Sequence, residues 1–485
     1  MVLTLRRLLI VVAALAVLAT ACGNSDDDGG DAATDDGGAT TTASPDEGDT
    51  DTSEPVPTDS APDDTSGGDG GDTDGGTEGD TFVPIEGVPG VTDEAINFAS
   101  IALRENNPLG TCIADCYNAG IRAYFDWRNS QGGIFGRELV LSQELDDELS
   151  RNQERALEVI SDDTIFASFN ATLIASGWAD LDDAGVPTFV WNIHSESADR
   201  QGIFGHFAVG CIDCTQRGVP WAASQAGATT MASLGYGDSE NSKVCAQALV
   251  DSIDKYQSDL GIEVGFFSDS IAFGMPNGIG PEVSAMKDAG VDFIATCLDL
   301  NGMKTLAQEL DRQGMGDVVM YHPNTYNQPF VAESEGLFEG DFVVPQFLPF
   351  EIETGLEMQD QFMSWMEQSG EELSELAMVG WINADQAYQG ILAAGPEFDR
   401  QAVIDASNTF TAYDAGGLIN PIDWTRQHTP PTEGDPTYDY AQECFSPVRV
   451  ADNALVPIGE AAAPWLCWDN STGDWSEPEP TSFGS

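Results

Sequence analysis

Basic residues are scarce in this 485-residue chain: 18 Lys and Arg stand against 82 Asp and Glu, for a net charge of −64. Only four of the bases are lysines, Lys243, Lys255, Lys287 and Lys304. Such a surface repels nucleic acid and anionic lipid, so no nucleic-acid partner is expected. It suits solubility at high salt, where screening removes the self-repulsion. A cationic ligand is a second reading of the same charge. The N-terminal apolar run, residues 8–18, is too short to span a bilayer. The four histidines, His194, His206, His322 and His428, lie far apart without metal-ligand spacing, so no metal or cofactor is expected. Enzyme motifs fail as well. Ser252-Ile253-Asp254-Lys255 and Ser284-Ala285-Met286-Lys287 match S-x-x-K, but both fall in helical patterns and no K-T-G follows. Residues 274–280 are glycine-rich without forming a dinucleotide or phosphate loop. No catalytic residue emerges, and an enzyme is not expected.

The N-terminus carries an address. Arg6 and Arg7 precede the apolar run, small residues follow, and then comes Cys22. This reads as a secretory leader, residues 1–21. Leu18-Ala19-Thr20-Ala21-Cys22 resembles a bacterial lipobox, with Ala19 where leucine is usual. The resemblance implies lipidation of Cys22 and anchoring to the outer face of the cell membrane. Residues 23–81 contain 19 acids and no base, with few apolar side chains. They cannot bury enough surface to offset ordering entropy, so 22–81 is expected to be a disordered tether. As a flexible coil it spans roughly 40 Å on average.

Removing leader and tether leaves residues 82–485 with 63 acids and 16 bases, so the acidity belongs to the folded part too. Its length exceeds one ordinary core and suggests two lobes. Of nine cysteines, lipidation of Cys22 leaves eight in an oxidising compartment. Cys112 with Cys116 and Cys211 with Cys214 are local pairing candidates. Cys245 with Cys297 and Cys444 with Cys467 are longer ones. A redox pair or a four-cysteine zinc site are the alternatives for the close pairs.

Strand-like runs then alternate with helical patterns. Strands are expected at 96–103, 138–145, 164–169 and 187–191, with helices at 118–130, 151–161 and 173–184. After a loop at 210–220 the rhythm resumes. Strands are read at 229–236, 262–268, 291–297 and 318–322, and helices at 241–256, 281–289 and 303–313. Residues 340–350 read as a return crossing, 358–366 and 381–394 as helical, and the end from 442 as proline-rich and strand-like. Strands separated by helices argue for parallel βαβ units in an α/β fold of two Rossmann-like lobes.

One segment is more specific. Asn129-Ser130-Gln131-Gly132-Gly133-Ile134-Phe135-Gly136-Arg137 resembles the N-x-x-G-G-I-x-G-R turn of type I periplasmic solute-binding proteins, the leucine/isoleucine/valine-binding branch serving ABC transporters. Asp146-Asp147, Ala156 to Ile160, Gly185-Val186-Pro187 and, loosely, residues 410–417 follow in that family's order. The resemblance covers about residues 92–457. It implies an N-terminal lobe of 82–208 plus 351–415 and a C-terminal lobe of 216–342 plus 416–485. Three hinge crossings would lie near 209–215, 343–350 and 412–418. It further implies a monomer that captures a small polar solute, an amino acid or related amide first among candidates, and presents it to an ABC permease. A ligand sensor partnering a membrane receptor is the alternative.

In open parallel sheets, ligands sit beyond the carboxyl ends of the strands. By position, the family's ligand loops transfer to Asn170, Thr172, Trp191 and Asn192. Asn170 and Thr172 offer an amide, a hydroxyl and a helix start for a carboxylate, although helix capping explains them equally. The second lobe offers Tyr236, Asp238, Asp269, Phe273, Asp299 and Asn301, with Asp299 the best partner for an ammonium group.

Overall fold

The computed structural model describes residues 82–197, 199–207, 215–323, 326–428 and 442–484. The leader, Cys22, the tether and the Cys211/Cys214 pair lie outside them.

The first sheet is built from β1 (Ala95–Ala102), α1 (Ala114–Ser130), β2 (Glu138–Asp146), α2 (Asn152–Ser161), β3 (Ala167–Ala171), α3 (Trp178–Asp183), β4 (Thr188–Val190) and β5 (Ile203–Gly205). Its order is β2-β1-β3-β4-β5 and every pair is parallel. Strands β3 and β4 are buried along their whole length, as parallel strands covered on both faces must be. Alternation along β1 serves two cores. Phe98 packs on Phe125 of α1 and Phe169 of β3, with ring centroids 5.0 and 5.4 Å apart. Its neighbours Ala99 and Ile101 face Ala156, Val159 and Leu181 on the other side.

The second sheet comes from α4 (Gly218–Gln225), β6 (Thr230–Tyr236), α5 (Glu240–Leu260), β7 (Glu263–Ile271), α6 (Gly280–Asp288), β8 (Phe293–Cys297), α7 (Leu300–Arg312), β9 (Val319–His322), α8 (Gln328–Glu333) and β10 (Phe342–Val343). The chain then forms α9 (Glu357–Ser369), α10 (Glu375–Ala394), α11 (Arg400–Ser407) and α12 (Trp424–Gln427). It ends in β11 (Gln442–Phe445), β12 (Val448–Ala451), β13 (Ala454–Pro457), β14 (Trp465–Asp469) and β15 (Glu479–Thr481). The second sheet runs β13-β12-β10-β9-β8-β6-β7, parallel except for β12 and β13, which join antiparallel. A separate antiparallel sheet, β11-β14-β15, closes the chain. The expected α/β fold with parallel-dominant sheets is therefore observed. Among the described residues no helix is long and apolar enough to cross a membrane.

The family-like turn has physical reasons. Gly133 has φ of +72°, and a Cβ there would fall 1.9 Å from the Arg137 carbonyl oxygen, so only glycine fits. The Asn129 amide donates to Leu139 O at 2.9 Å and accepts from Leu139 N at 2.8 Å, docking α1 on β2. Arg137 is buried and donates to the Thr92 and Val83 carbonyls. The aspartate pair is also structural. Asp146 accepts three backbone N–H groups, from Arg104, Glu105 and Glu148.

Several expected boundaries move. The third strand begins at Ala167, and the helix expected over 173–184 shrinks to α3, because residues 172–177 form a loop. The expected loop at 210–220 gives way to α4 from Gly218, where Pro220 sits in the first turn and removes no helical hydrogen bond. Strand β5 and helices α8 and α11 were not anticipated. Helices α1 and α10 cross in near backbone contact. A Cβ at Gly120 would lie 1.8 Å from Ala377 O, and one at Gly380 2.1 Å from Tyr117 O. Disulfides Cys112–Cys116, Cys245–Cys297 and Cys444–Cys467 are formed. The last joins directly opposed residues of β11 and β14.

Segments joining the sheets lie side by side. Leu348 N donates to Leu418 O at 2.8 Å, and His206 Nε2 pairs with Gln346 Oε1 at 2.8 Å. Burial pushes the His206 imidazole down to about 4, and its Nδ1 accepts the Asn192 N–H.

Candidate functional site

Residues just past the carboxyl ends of β1, β3 and β4, and of β6, β7 and β8, line one cavity of about 1110 Å³. Two hydrogen bonds cross it. Asn301 Nδ2, in the first turn of α7, donates to Leu109 O in the β1–α1 loop at 2.6 Å. Asn241 Nδ2, in the first turn of α5, donates to His194 Nδ1, past the end of β4, at 2.5 Å. The other ring nitrogen of His194 faces Thr172 O at 2.8 Å, which places the proton on Nε2 and leaves Nδ1 as the acceptor. Burial lowers the pKa of His194, consistent with this neutral form.

Five of the ten expected residues line the cavity: Trp191, Tyr236, Asp238, Phe273 and Asp299. Tyr236, at the end of β6, donates its hydroxyl to Asp299, which caps α7 by accepting Asn301 N at 3.1 Å. Burial raises the Asp299 carboxyl pKa, opposed by the Tyr236 hydroxyl and backbone N–H donors. Phe273 packs on Tyr236 at 4.6 Å and donates its N–H to Asp238 at 3.2 Å. Trp191 is 7% exposed and forms wall rather than surface.

The other five do not line it. Asn170 is buried and donates to Ser168 Oγ at 2.8 Å. The buried Thr172 hydroxyl donates to Asp147, tying the loop after β3 to the end of β2. Asn192 is buried and accepts from Ser197 Oγ at 3.0 Å. Asp269 lies on the edge strand β7. Asn301 instead makes the bond across the cleft. The loop after β3 thus presents Leu173, Ile174, Ala175 and Ser176 to the cavity instead of Asn170 and Thr172.

Sequence reasoning missed Leu109, His194, Asn241, Tyr326 and Glu375, all cavity-lining. The first three follow strand ends or open a helix, and the strand-end rule could have found them. Tyr326 and Glu375 arrive from the segments before α8 and at the start of α10, which that rule does not reach. Tyr326 donates its hydroxyl to Glu351 and accepts Phe350 N at 2.6 Å. No group of three or more His, Cys, Asp or Glu that would hold a metal occurs among the described residues.

Two mainly parallel sheets whose strand ends enclose one cavity define a solute-binding protein of the bilobed kind. The chain belongs to the periplasmic binding protein family, whose model matches residues 111–435, and within it to type I. Solved structures share the fold. A fatty acid ABC transporter substrate-binding protein from Thermomonospora curvata is 15% identical with TM-score 0.60, covering 83% of this chain and 97% of its own. A leucine-binding protein from Thermotoga maritima is 14% identical with TM-score 0.59, covering 74% and 97%. A solute-binding protein from R. palustris in complex with benzoate is 15% identical with TM-score 0.58, covering 77% and 97%. No curated protein matches the sequence. Strands β11 to β15 lie beyond the family match.

Proposed function

We propose that this chain captures a small organic solute in the cleft, closes over it, and presents it to an ABC permease from the outer face of the membrane, tethered through Cys22. In this reading the lobes are residues 82–208 with 351–415 and 216–342 with 416–485. They hinge near 209–215, 343–350 and 412–418. The carrying observation is the cavity lined by loops of both sheets and bridged by Asn241–His194 and Asn301–Leu109. A ligand touching both sides binds the closed state better and so drives closure. The five expected residues that line the cavity, with His194 and Asn241, are the proposed contacts. An amino acid or amide remains a candidate for its ammonium or amide end. The side chains expected to hold its carboxylate, Asn170 and Thr172, are engaged elsewhere.

A thermal-shift screen of the chain against amino acids, amides, amines, sugars and aromatic and aliphatic acids tests this. A ligand at a hundred times its Kd adds roughly 2.7 kcal/mol. Stabilisation by one class, lost in Tyr236→Ala, is the expected result. Stabilisation that survives Tyr236→Ala would place binding elsewhere.

A further inference from the structure

We propose that Glu375 receives the cationic head of the solute, an ammonium or guanidinium group carried on an apolar body. This rests on the solute-binding reading of the cleft and names the class of molecule it takes. Glu375 opens α10, just after the capping Ser374, and its side chain lines the cavity. Other cavity carboxylates have partners, the exposed Glu372 excepted. Asp299 holds the Tyr236 hydroxyl, Asp238 accepts Phe273 N, and Glu443 accepts Arg217 N and Gly218 N. Outside the cavity lining, Glu351 takes the Tyr326 hydroxyl. The Glu375 carboxyl has no hydrogen bond or ion pair with any described residue, although the residue is only partly exposed. Its titratable neighbours are Tyr326, whose own hydroxyl is engaged with Glu351, and Glu372 on the preceding loop, while the cavity's cations are occupied elsewhere, Arg217 and Lys255 flanking Glu443 and Arg200 donating to Glu196 O. Burial alone pushes the Glu375 carboxyl up to about 8. A desolvated carboxyl without a counter-charge is costly, and an arriving cation supplies what the protein omits.

The walls specify the rest of the molecule. Among the large apolar side chains left exposed, Ile174 at 46% and Leu373 at 37% both line this cavity, one from the loop after β3 and one two residues before Glu375. With Leu109, Leu173 and the wall residue Trp191 they make one side of the cavity apolar. Exposed apolar side chains gathered in a concavity mark a ligand site, and here they call for hydrocarbon. The other charged groups on the lining are mostly acids, Glu196, Asp238, Glu240, Asp299, Glu372 and Glu443 against Arg200, Arg217 and Lys255, a balance that disfavours an anionic head.

The test is isothermal titration of the chain with matched probes: hexylammonium, hexylguanidinium, hexanoate and hexanamide. The two cations should bind at least about tenfold more tightly than hexanoate or hexanamide. Glu375→Gln should weaken the cations about tenfold or more without lowering the melting temperature. At pH 7, binding of a cation should release close to one proton, read by repeating the titration in buffers of different ionisation enthalpy. Glu375→Lys, carrying its own ammonium, should exclude the cations altogether. Hexanoate or hexanamide binding as tightly as the cations, or cations indifferent to Glu375→Gln, overturns the assignment and leaves solute binding standing. Binding by none of the four overturns it too, and the broader solute screen then judges the cleft separately.

Discussion

The two hydrogen bonds across the cleft should set the balance between closed and open lobes. The perturbation is the double substitution Asn241→Ala with Asn301→Ala, which removes both donors and leaves the expected wall residues in place. The Asn301 bond to Leu109 O is exposed and sits at the low end of net hydrogen-bond worth, about 0.5 kcal/mol. The Asn241 bond to His194 is partly buried and sits at the high end, about 1.5 kcal/mol. The elements are separate, so the terms add to about 2 kcal/mol. That sum is roughly a 30-fold shift in the closed-to-open ratio. Small-angle X-ray scattering of the ligand-free chain should show a larger radius of gyration for the double variant. Affinity for any cleft ligand should fall by about the same 30-fold or more, because the closed state must be repopulated before it is held and Asn241 is itself a proposed contact. Unchanged scattering together with unchanged affinity would refute the reasoning and reduce both contacts to incidental ones.

Three further outcomes follow from the packing. Gly120→Ala should lower the melting temperature. The new Cβ at 1.8 Å from Ala377 O forces α1 and α10 apart at about 1–3 kcal/mol, exceeding the helix-propensity gain of about 1 kcal/mol. Arg217→Met should destabilise the C-terminal sheet by about 1–3 kcal/mol. It strips the bonds to Asn470 and to Thr472 O and leaves the part-buried Glu443 with Lys255 as its one remaining nearby cation among the described residues; limited proteolysis should then release residues beyond 442. Folding stability should fall as pH drops from about 6.5 to about 4. The buried His206 titrates at about 4 in the folded chain, so the unfolded chain takes up the proton first. This site contributes roughly 3 kcal/mol across that window, and urea melts of His206→Gln should show a correspondingly flatter pH dependence.

The fold was legible because its signals are local. Periodicity placed the strands now seen as β1, β2, β6 and β8, and the Asn129 to Arg137 turn carried the family, since its glycines and its buried arginine answer the backbone constraints of this tight helix-to-strand turn. Short elements such as β5 and α11 gave too few periods to be read. The site was half legible. Strand-end reasoning reached Tyr236, Phe273 and Asp299 because parallel strands deliver their carboxyl ends to one edge. It failed at Thr172, whose hydroxyl was as suited to a ligand as to Asp147, and only packing decided between them. It also failed at Glu375, because a helix that joins the cleft from a return segment carries no strand-end signature.

The most direct test of the account is to bind a hit from the solute screen to the chain and to Leu109→Trp, which fills the cleft from the β1–α1 loop. The account predicts that the hit contracts the wild-type radius of gyration and stabilises it, and does neither in Leu109→Trp. Stabilisation that persists undiminished in Leu109→Trp would mean that the solute does not sit between the lobes, and would contradict the central claim.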